Sequence, residues 1–193
     1  AFQISEDKIK PLGLPRMDYY FEDHDLDRLK KEFSQKFNVS PDKKIILYAP
    51  TFRDEEKYNN VFDSLDLEKF NRELGDEYVL ALRLHPKIRN FYSEDISSKG
   101  QYVDVSDFES EQELMLLSDI MITDYSSIMI EYSALNKPTV FFTYDLDYYL
   151  ANERGFYYDF ETTVPGPIVH TSDELIDAIK NEISTLMDRM NKL

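Results

Sequence analysis

Short apolar runs alternate along the chain with segments whose apolar residues recur every three or four positions. Uninterrupted runs of this length are typical of buried strands, and the longer spacing is typical of amphipathic helices. The predicted strands are 45–49, 78–84, 102–106, 119–123 and 138–144. The predicted helices are 25–38, 67–74, 110–118, 126–136 and 171–190, with a further short helix at 88–95.

Two of these helices carry a start signal. Ser110 is followed three residues later by Glu113, and Thr171 is followed by Glu174. In this pattern the hydroxyl side chain and the glutamate each accept a hydrogen bond from a free backbone amide at the helix start. We therefore predict a capping box at both places.

The order of the elements predicts the fold class. The strands are continuously apolar rather than alternating, and helices separate them, which is the pattern of a parallel sheet covered on both faces. We predict an α/β, Rossmann-like, doubly wound domain over residues 1–193. Residues 144–171 are rich in Tyr, Phe and acidic side chains without a clear period, and we predict an ordered aromatic loop region there.

Composition narrows the class of protein. A length of 193 residues suits a single domain. The sequence has no cysteine, no apolar run long enough for a transmembrane segment and no signal-like leader. A net charge of −16 disfavours binding to nucleic acid. The chain begins without Met, and we expect it to be a piece of a longer protein.

Polar residues follow three of the predicted strands. In a doubly wound sheet, ligands bind outside the carboxyl ends of the strands. The three clusters are residues 49–54, 83–87 and 123–127. The second belongs to a basic island in an acidic chain, made of Arg83, His85, Lys87 and Arg89.

The segment TDYSS places two serines where a helix is predicted to start. One serine can cap the helix, and the second hydroxyl is then free for a ligand oxygen. The free amides of a helix start favour an anion such as phosphate. The alternative is plain capping, with Asp124 starting a turn and Tyr125 packing.

The other clusters offer groups that suit a diphosphate. Arg83 and His85 are two residues apart in an extended segment, so we expect both to point to one face. Arg53 can make a bidentate phosphate contact, and Thr51 can donate its hydroxyl. Glu131, one turn into the helix, can accept from ribose hydroxyls. The alternatives are a structural histidine, a surface arginine and an exposed or capped glutamate.

Several kinds of site are not supported. The sequence has no Gly-rich phosphate loop and no GxSxG motif. Its three histidines, His24, His85 and His170, form no metal-binding pattern. We predict no metal and no cofactor.

Taken in order, six segments resemble the CDP-glycerol glycerophosphotransferase family of teichoic acid synthesis. The resemblance extends from about Leu12 to Leu175, and the combination of the second, fourth and fifth segments is specific. The segments are GLPRMDYYF, ILYAPTFRDE, LRLHP, LLSDIMITDYSSIMIEYSALNKPTVFFTYDLDYY, ERGFYYDF and PGP.

The resemblance implies the C-terminal, nucleotide-donor-binding half of a GT-B enzyme. It implies donor-phosphate contacts from His85, Thr123, Ser126 and Ser127, and we take His85 as the candidate catalytic residue. Asp124 belongs to the same loop and is counted with the donor-binding residues. The family usually has Asp where Glu131 stands, which is a departure. Family members also carry a WHGTP-like segment in the N-terminal domain, whose histidine is the proposed base, and no such segment is present here.

The implied reaction transfers glycerol phosphate from CDP-glycerol to a hydroxyl of a polymer or linkage unit and releases CMP. Without the N-terminal histidine, we expect the isolated chain to be inactive. We expect the full-length protein to be cytoplasmic and peripheral to the inner face of the plasma membrane. Two alternatives stay open: the donor domain of a ribitol-phosphate transferase using CDP-ribitol, and a nucleotide-binding module without chemistry.

Overall fold

A computed structural model describes residues 5–55, 59–87, 102–153, 155–156 and 158–190. The predicted helix at 88–95 and Arg89 lie outside these residues. Six strands form one sheet: β1 (Lys44–Ala49), β2 (Tyr78–Leu82), β3 (Tyr102–Asp104), β4 (Ile120–Thr123), β5 (Thr139–Phe142) and β6 (Ile168–Val169).

The helices connect and cover these strands. They are α1 (Leu26–Phe37), α2 (Leu67–Leu74), α3 (Glu111–Leu117), α4 (Ile128–Ser133), α5 (Leu146–Asn152), α6 (Phe160–Thr163) and α7 (Ser172–Met190). In the part of the chain that the structure describes, 3₁₀ helices occupy Glu6–Lys8, Pro15–Phe21 and Val61–Asp63. No helix of the described residues is both long enough and apolar enough to cross a membrane.

Every strand pair in the sheet is parallel, and the order is β3-β2-β1-β4-β5-β6. This is the order of a doubly wound nucleotide-binding fold. From β1 the chain adds β2 and β3 on one side, and it then crosses back to add β4, β5 and β6 on the other side of β1. The α/β prediction is therefore confirmed, and the switch point lies between β1 and β4.

The apolar runs are continuous because both faces of the sheet are covered. Ile46, Leu80 and Ile122 pack in a core cluster with α2 and α7 on one face. Leu47, Ala81 and Met121 pack with α3 on the other face. Alternate residues of one strand thus enter two different cores, and none of these positions is left for a polar side chain.

The structure shows one of the two bonds of the predicted capping box at Ser110 and both bonds at Thr171. Ser110 Oγ accepts from the Glu113 amide at 3.1 Å. Thr171 Oγ1 accepts from the Glu174 amide at 3.3 Å, and Glu174 Oε2 accepts from the Thr171 amide at 3.2 Å.

The prediction of a loop region at 144–171 was wrong. This segment contains α5, α6 and β6, and its rings form a third cluster around Tyr125 and Phe141. Tyr149 and Phe160 are buried there, whereas Leu150 and Tyr158 are exposed. Exposed apolar residues among buried ones hide the helical period in the sequence.

Candidate functional site

The carboxyl ends of β1, β2 and β4 lie side by side at one rim of the sheet. Ala49 is paired with Thr123 in register, and Tyr48 is paired with Leu82. The three polar clusters predicted from the sequence therefore meet at this rim. The loop after β5 adds a fourth cluster, around Asp145.

A set of hydrogen bonds joins the β1 and β4 ends across the switch point. Both carboxylate oxygens of Asp124 lie 2.9 Å from the Thr51 amide, and Oδ1 also accepts from Thr51 Oγ1 at 2.6 Å. Thr123 Oγ1 donates to the Ala49 carbonyl at 2.8 Å. Three predicted donor-binding residues, Thr51, Thr123 and Asp124, are thus brought together, but Thr51 bonds to Asp124 and the Thr123 hydroxyl bonds to the Ala49 carbonyl.

Arg53 is buried rather than presented to a ligand. Its Nε and Nη2 atoms donate to the two oxygens of Asp145 at 2.7 and 2.9 Å, and Nη1 lies 2.9 Å from Asp124 Oδ2. Nη1 also donates to the Thr51 carbonyl. Burial alone would lower the pKa of the guanidinium, but the bonds to Asp145 and the charge of Asp124 outweigh it and raise the pKa.

The prediction of a bidentate contact between Arg53 and phosphate needs correction. The side chain has no exposed surface. Its donors face two buried carboxylates and a carbonyl, so the structure leaves it no access to a ligand at the rim. A carboxylate pair, rather than a phosphate, compensates the buried charge.

Aromatic rings complete this buried group. The Arg53 guanidinium lies 4.9 Å from the ring centroid of Tyr125 and 5.5 Å from that of Tyr149. The Tyr125 hydroxyl donates to Asp145 Oδ1 at 3.0 Å. Burial and the nearby Asp145 carboxylate raise the pKa of Tyr125, so its hydroxyl keeps its proton.

The sequence analysis missed Asp145 as a site residue and took Tyr125 only as a packing residue. Asp124 comes directly after β4 and Asp145 lies three residues beyond the end of β5, so the strand-end rule could have identified Asp145 as well. The aromatic loop assignment for 144–171 removed it from consideration.

The two serines of TDYSS have different roles. Ser126 Oγ accepts from the Ile128 amide at 3.3 Å and so helps to start α4. Ser127 occupies the N-cap position, is exposed, and makes no capping bond with its side chain. The arrangement agrees with the expectation that one hydroxyl caps the helix and the other faces outward.

Arg83 and His85 do not point to a common ligand, contrary to prediction. Strand β2 ends at Leu82, so the extended period does not continue to His85. Arg83 Nη1 donates to the Phe108 carbonyl at 3.1 Å, and its Nε lies 3.6 Å from Glu111. Arg83 therefore joins the loop after β3 to α3.

His85 is exposed at the end of the β2 loop. Its ring centroid lies 5.5 Å from that of Phe52, and its Nδ1 accepts from the Lys87 amide at 3.2 Å. The Lys87 ammonium lies 4.6 Å from the same Phe52 ring. Of the basic island, His85 and Lys87 thus remain at the surface beside the β1 loop.

Glu131 is held by the N-terminal 3₁₀ helix. Arg16 Nε lies 2.9 Å from Glu131 Oε2, and the Tyr20 hydroxyl donates to the same oxygen at 3.2 Å. Burial, followed by the Glu131 charge, raises the pKa of Tyr20. Both contacts use Oε2, and the Glu131 side chain is 12% exposed.

No cluster of three or more His, Asp or Glu side chains in the described part of the chain is arranged to hold a metal ion. The chemistry available at the rim is hydrogen bonding from hydroxyl, imidazole and amide groups, and Lys87 is an exposed cation beside it.

The whole chain matches one protein family. The model of the CDP-glycerol:poly(glycerophosphate) glycerophosphotransferase family matches residues 1–192. The teichoic acid poly(ribitol-phosphate) polymerase of Bacillus spizizenii is 38% identical over 94% of this chain and 30% of its own length. The teichoic acid poly(glycerol phosphate) polymerase of Bacillus subtilis is 40% identical over 93% of this chain and 24% of its own length.

A solved structure of the wall teichoic acid polymerase TagF has the same fold. It superimposes with a TM-score of 0.80 at 38% identity, over 95% of this chain and 45% of that chain. The chain therefore spans less than half the length of each of these three relatives.

Proposed function

Because this chain belongs to the CDP-glycerol:poly(glycerophosphate) glycerophosphotransferase family, we propose that it is the donor-binding domain of a polyol-phosphate transferase. One observation carries the proposal. The exposed Ser127 and the exposed His85 follow β4 and β2, the two strands that flank β1 at the switch point. That crevice is where a doubly wound sheet binds a nucleotide.

The proposed donor is CDP-glycerol, with its diphosphate between His85 and the 123–127 loop. Hydrogen bonds from the imidazole and from the Ser127 hydroxyl would stabilise negative charge on the diphosphate. Glu131 would accept from a ribose hydroxyl. Thr51, Thr123 and Asp124 would act by shaping the rim, since Thr51 bonds to Asp124 and Thr123 bonds to the Ala49 carbonyl.

The proposed reaction forms one bond and breaks one. The acceptor hydroxyl oxygen attacks the phosphorus that carries glycerol, and the anhydride bond to CMP breaks. CMP leaves with the electron pair of that bond, and the acceptor proton goes to a base. His85 would donate a hydrogen bond to the phosphate of the leaving CMP. The base would come from the N-terminal domain that the resemblance implies.

CDP-ribitol is a second candidate donor for a specific reason. The ribitol and glycerol polymerases are 38% and 40% identical to this chain, so identity does not separate the two donors. The nucleotide contacts would be the same, and only the alditol end would differ. The full-length enzyme would act at the inner face of the plasma membrane, on a polyol-phosphate or linkage-unit acceptor.

Isothermal titration calorimetry tests the donor assignment. The 193-residue chain should bind CDP-glycerol or CDP-ribitol at least about tenfold more tightly than UDP-glucose, which is about 1.4 kcal/mol. Equal affinity for cytidine and uridine diphosphate donors would overturn the proposal. The ratio between the two CDP-alditols decides between glycerol and ribitol.

A further inference from the structure

Arg53 connects three separate loops at the rim of the sheet. It belongs to the loop after β1, and its guanidinium contacts Asp124 after β4 and Asp145 after β5. Its own backbone is fixed as well, because its amide donates to Asn59 Oδ1 at 2.7 Å and its carbonyl accepts from Asn59 Nδ2 at 2.8 Å. We call Arg53, Asp124, Asp145 and Tyr125 the arginine hub.

The hub fixes the residue that comes directly before the two serines. The Tyr125 amide donates to Asp124 Oδ1 at 2.6 Å, and its hydroxyl donates to Asp145 Oδ1 at 3.0 Å. Both carboxylates are bound to Arg53. The backbone and the side-chain tip of Tyr125 are therefore held by partners of one buried cation.

Substituting a single residue of the arginine hub should destabilise the whole group. A buried cation with two carboxylates is stable only when all the partners are present, because removing one leaves an uncompensated charge. A lysine in place of Arg53 keeps the charge but cannot make the planar, two-pronged contact with Asp145 and reach Asp124 at the same time.

We propose that Arg53 is a positioning residue for donor binding: through Asp124, Asp145 and Tyr125 it sets the path of the 124–127 loop, so that the Ser127 hydroxyl faces the donor diphosphate. This inference rests on the proposed function. It gives Arg53 a role in phosphate recognition without contact to the phosphate.

Three variants of the 193-residue chain test the inference. Arg53→Lys disrupts the hub at its centre, and Tyr125→Phe removes only the hydroxyl bond to Asp145. Tyr132→Phe is the matched control, because it also removes a buried tyrosine hydroxyl bond, to Ser118 at 3.1 Å, but outside the hub. Calorimetry with CDP-glycerol and with cytidine gives the affinities, and thermal unfolding gives the melting temperature.

If Arg53 positions the loop, the hub variants should lose affinity for CDP-glycerol but not for cytidine. Arg53→Lys should weaken CDP-glycerol binding by at least about tenfold, and Tyr125→Phe by about threefold, while cytidine binding stays unchanged. Tyr132→Phe should lower the melting temperature and leave both affinities as in the unmodified chain. If Arg53→Lys does not fold, Tyr125→Phe against Tyr132→Phe decides the matter.

Two results would overturn the inference. One is a lower melting temperature for the hub variants with unchanged CDP-glycerol affinity, which would make the hub a stabilising element only. The other is an equal loss for CDP-glycerol and cytidine, which would indicate general loosening of the domain. Failure of the unmodified chain to bind CDP-glycerol would instead reject the proposed function.

Discussion

The Nδ1 atom of His85 accepts a hydrogen bond from the backbone amide of Lys87 at 3.2 Å. An acceptor nitrogen carries no proton, so in the neutral ring the proton is on Nε2. The neutral His85 ring therefore carries its hydrogen-bond donor at Nε2. This geometry suits a contact to a phosphate oxygen and does not suit a general base acting through Nε2.

This tautomer makes glutamine and asparagine unequal replacements for His85. The glutamine side-chain amide reaches about as far as Nε2, whereas the asparagine amide ends near Nδ1. His85→Gln should keep most of the CDP-glycerol affinity, and His85→Asn should lose about 1–3 kcal/mol, the value of a hydrogen bond to a charged group. Calorimetry measures both. Equal affinities of the two variants would show that Nε2 does not contact the donor.

Ser127→Asp separates capping from phosphate binding. Aspartate is favoured at an N-cap, so the melting temperature should hold or rise slightly. The new carboxylate would face the donor phosphates, so the dissociation constant for CDP-glycerol should rise by at least about tenfold. Ser126→Asp is the comparison, because Ser126 already bonds the Ile128 amide. An unchanged dissociation constant for Ser127→Asp would show that the TDYSS segment starts a helix and does not bind the donor phosphates.

Gly166 lies against the backbone of β5. A Cβ atom at this position would be 2.0 Å from the Thr139 carbonyl oxygen. Gly166→Ala should therefore lower the free energy of unfolding by about 1–3 kcal/mol or more, through overpacking against a backbone that cannot move aside. Urea unfolding measures the loss. Gly13→Ala tests a different cost, because no atom lies within 4 Å of the added Cβ but the φ of Gly13 is +82°, a conformation that strains any other residue.

The lowered pKa of Glu174 should make the free energy of unfolding depend on pH. Its carboxylate accepts from the His170 amide at 2.7 Å, and this bond, with a second from Thr171, lowers its pKa. The folded state thus binds fewer protons than the unfolded state at acid pH. The stabilisation is complete above the ordinary glutamate value of about 4.3 and is lost as the pH falls below it.

Glu174→Gln removes this titration. Urea unfolding between pH 7 and pH 3 should show a smaller loss of stability below about pH 4.3 in the variant than in the unmodified chain. Parallel curves for the two proteins would contradict the assignment. Glu174 follows the edge strand β6, two strands away from β4, and its carboxylate bonds to the His170 and Thr171 amides, which are not proposed donor contacts. CDP-glycerol affinity at pH 7 should therefore not change.

Of the six strands in the described residues, four could be predicted because each is a continuous apolar run, and β3 could be predicted from Tyr102, Val103 and Val105. Strand β6 has only Ile168 and Val169, which is too short to produce a pattern. The end of β2 was placed two residues late, because Leu84 continues the apolar run although it lies beyond the strand. That error produced the wrong expectation that Arg83 and His85 share a face.

The burial of Arg53 could not be predicted from its neighbours in sequence. Its bidentate partner, Asp145, is 92 residues away. An arginine at a strand end has the same local signal whether it meets a phosphate or a buried carboxylate pair. Only the pairing of β1, β4 and β5 at one rim decides which partner it meets.

The central position of β1 in the sheet has a consequence for synthesis. At about 5–20 residues per second, a ribosome makes Asp145 roughly 5–20 s after Arg53. Until residue 124 has been made, β1 lacks β4, whose bonds to it join residues 74 apart, and the arginine lacks both carboxylates. The donor rim can therefore form only after most of the chain has been made. In refolding experiments, CDP-glycerol binding should lag behind the recovery of helical signal in far-UV circular dichroism.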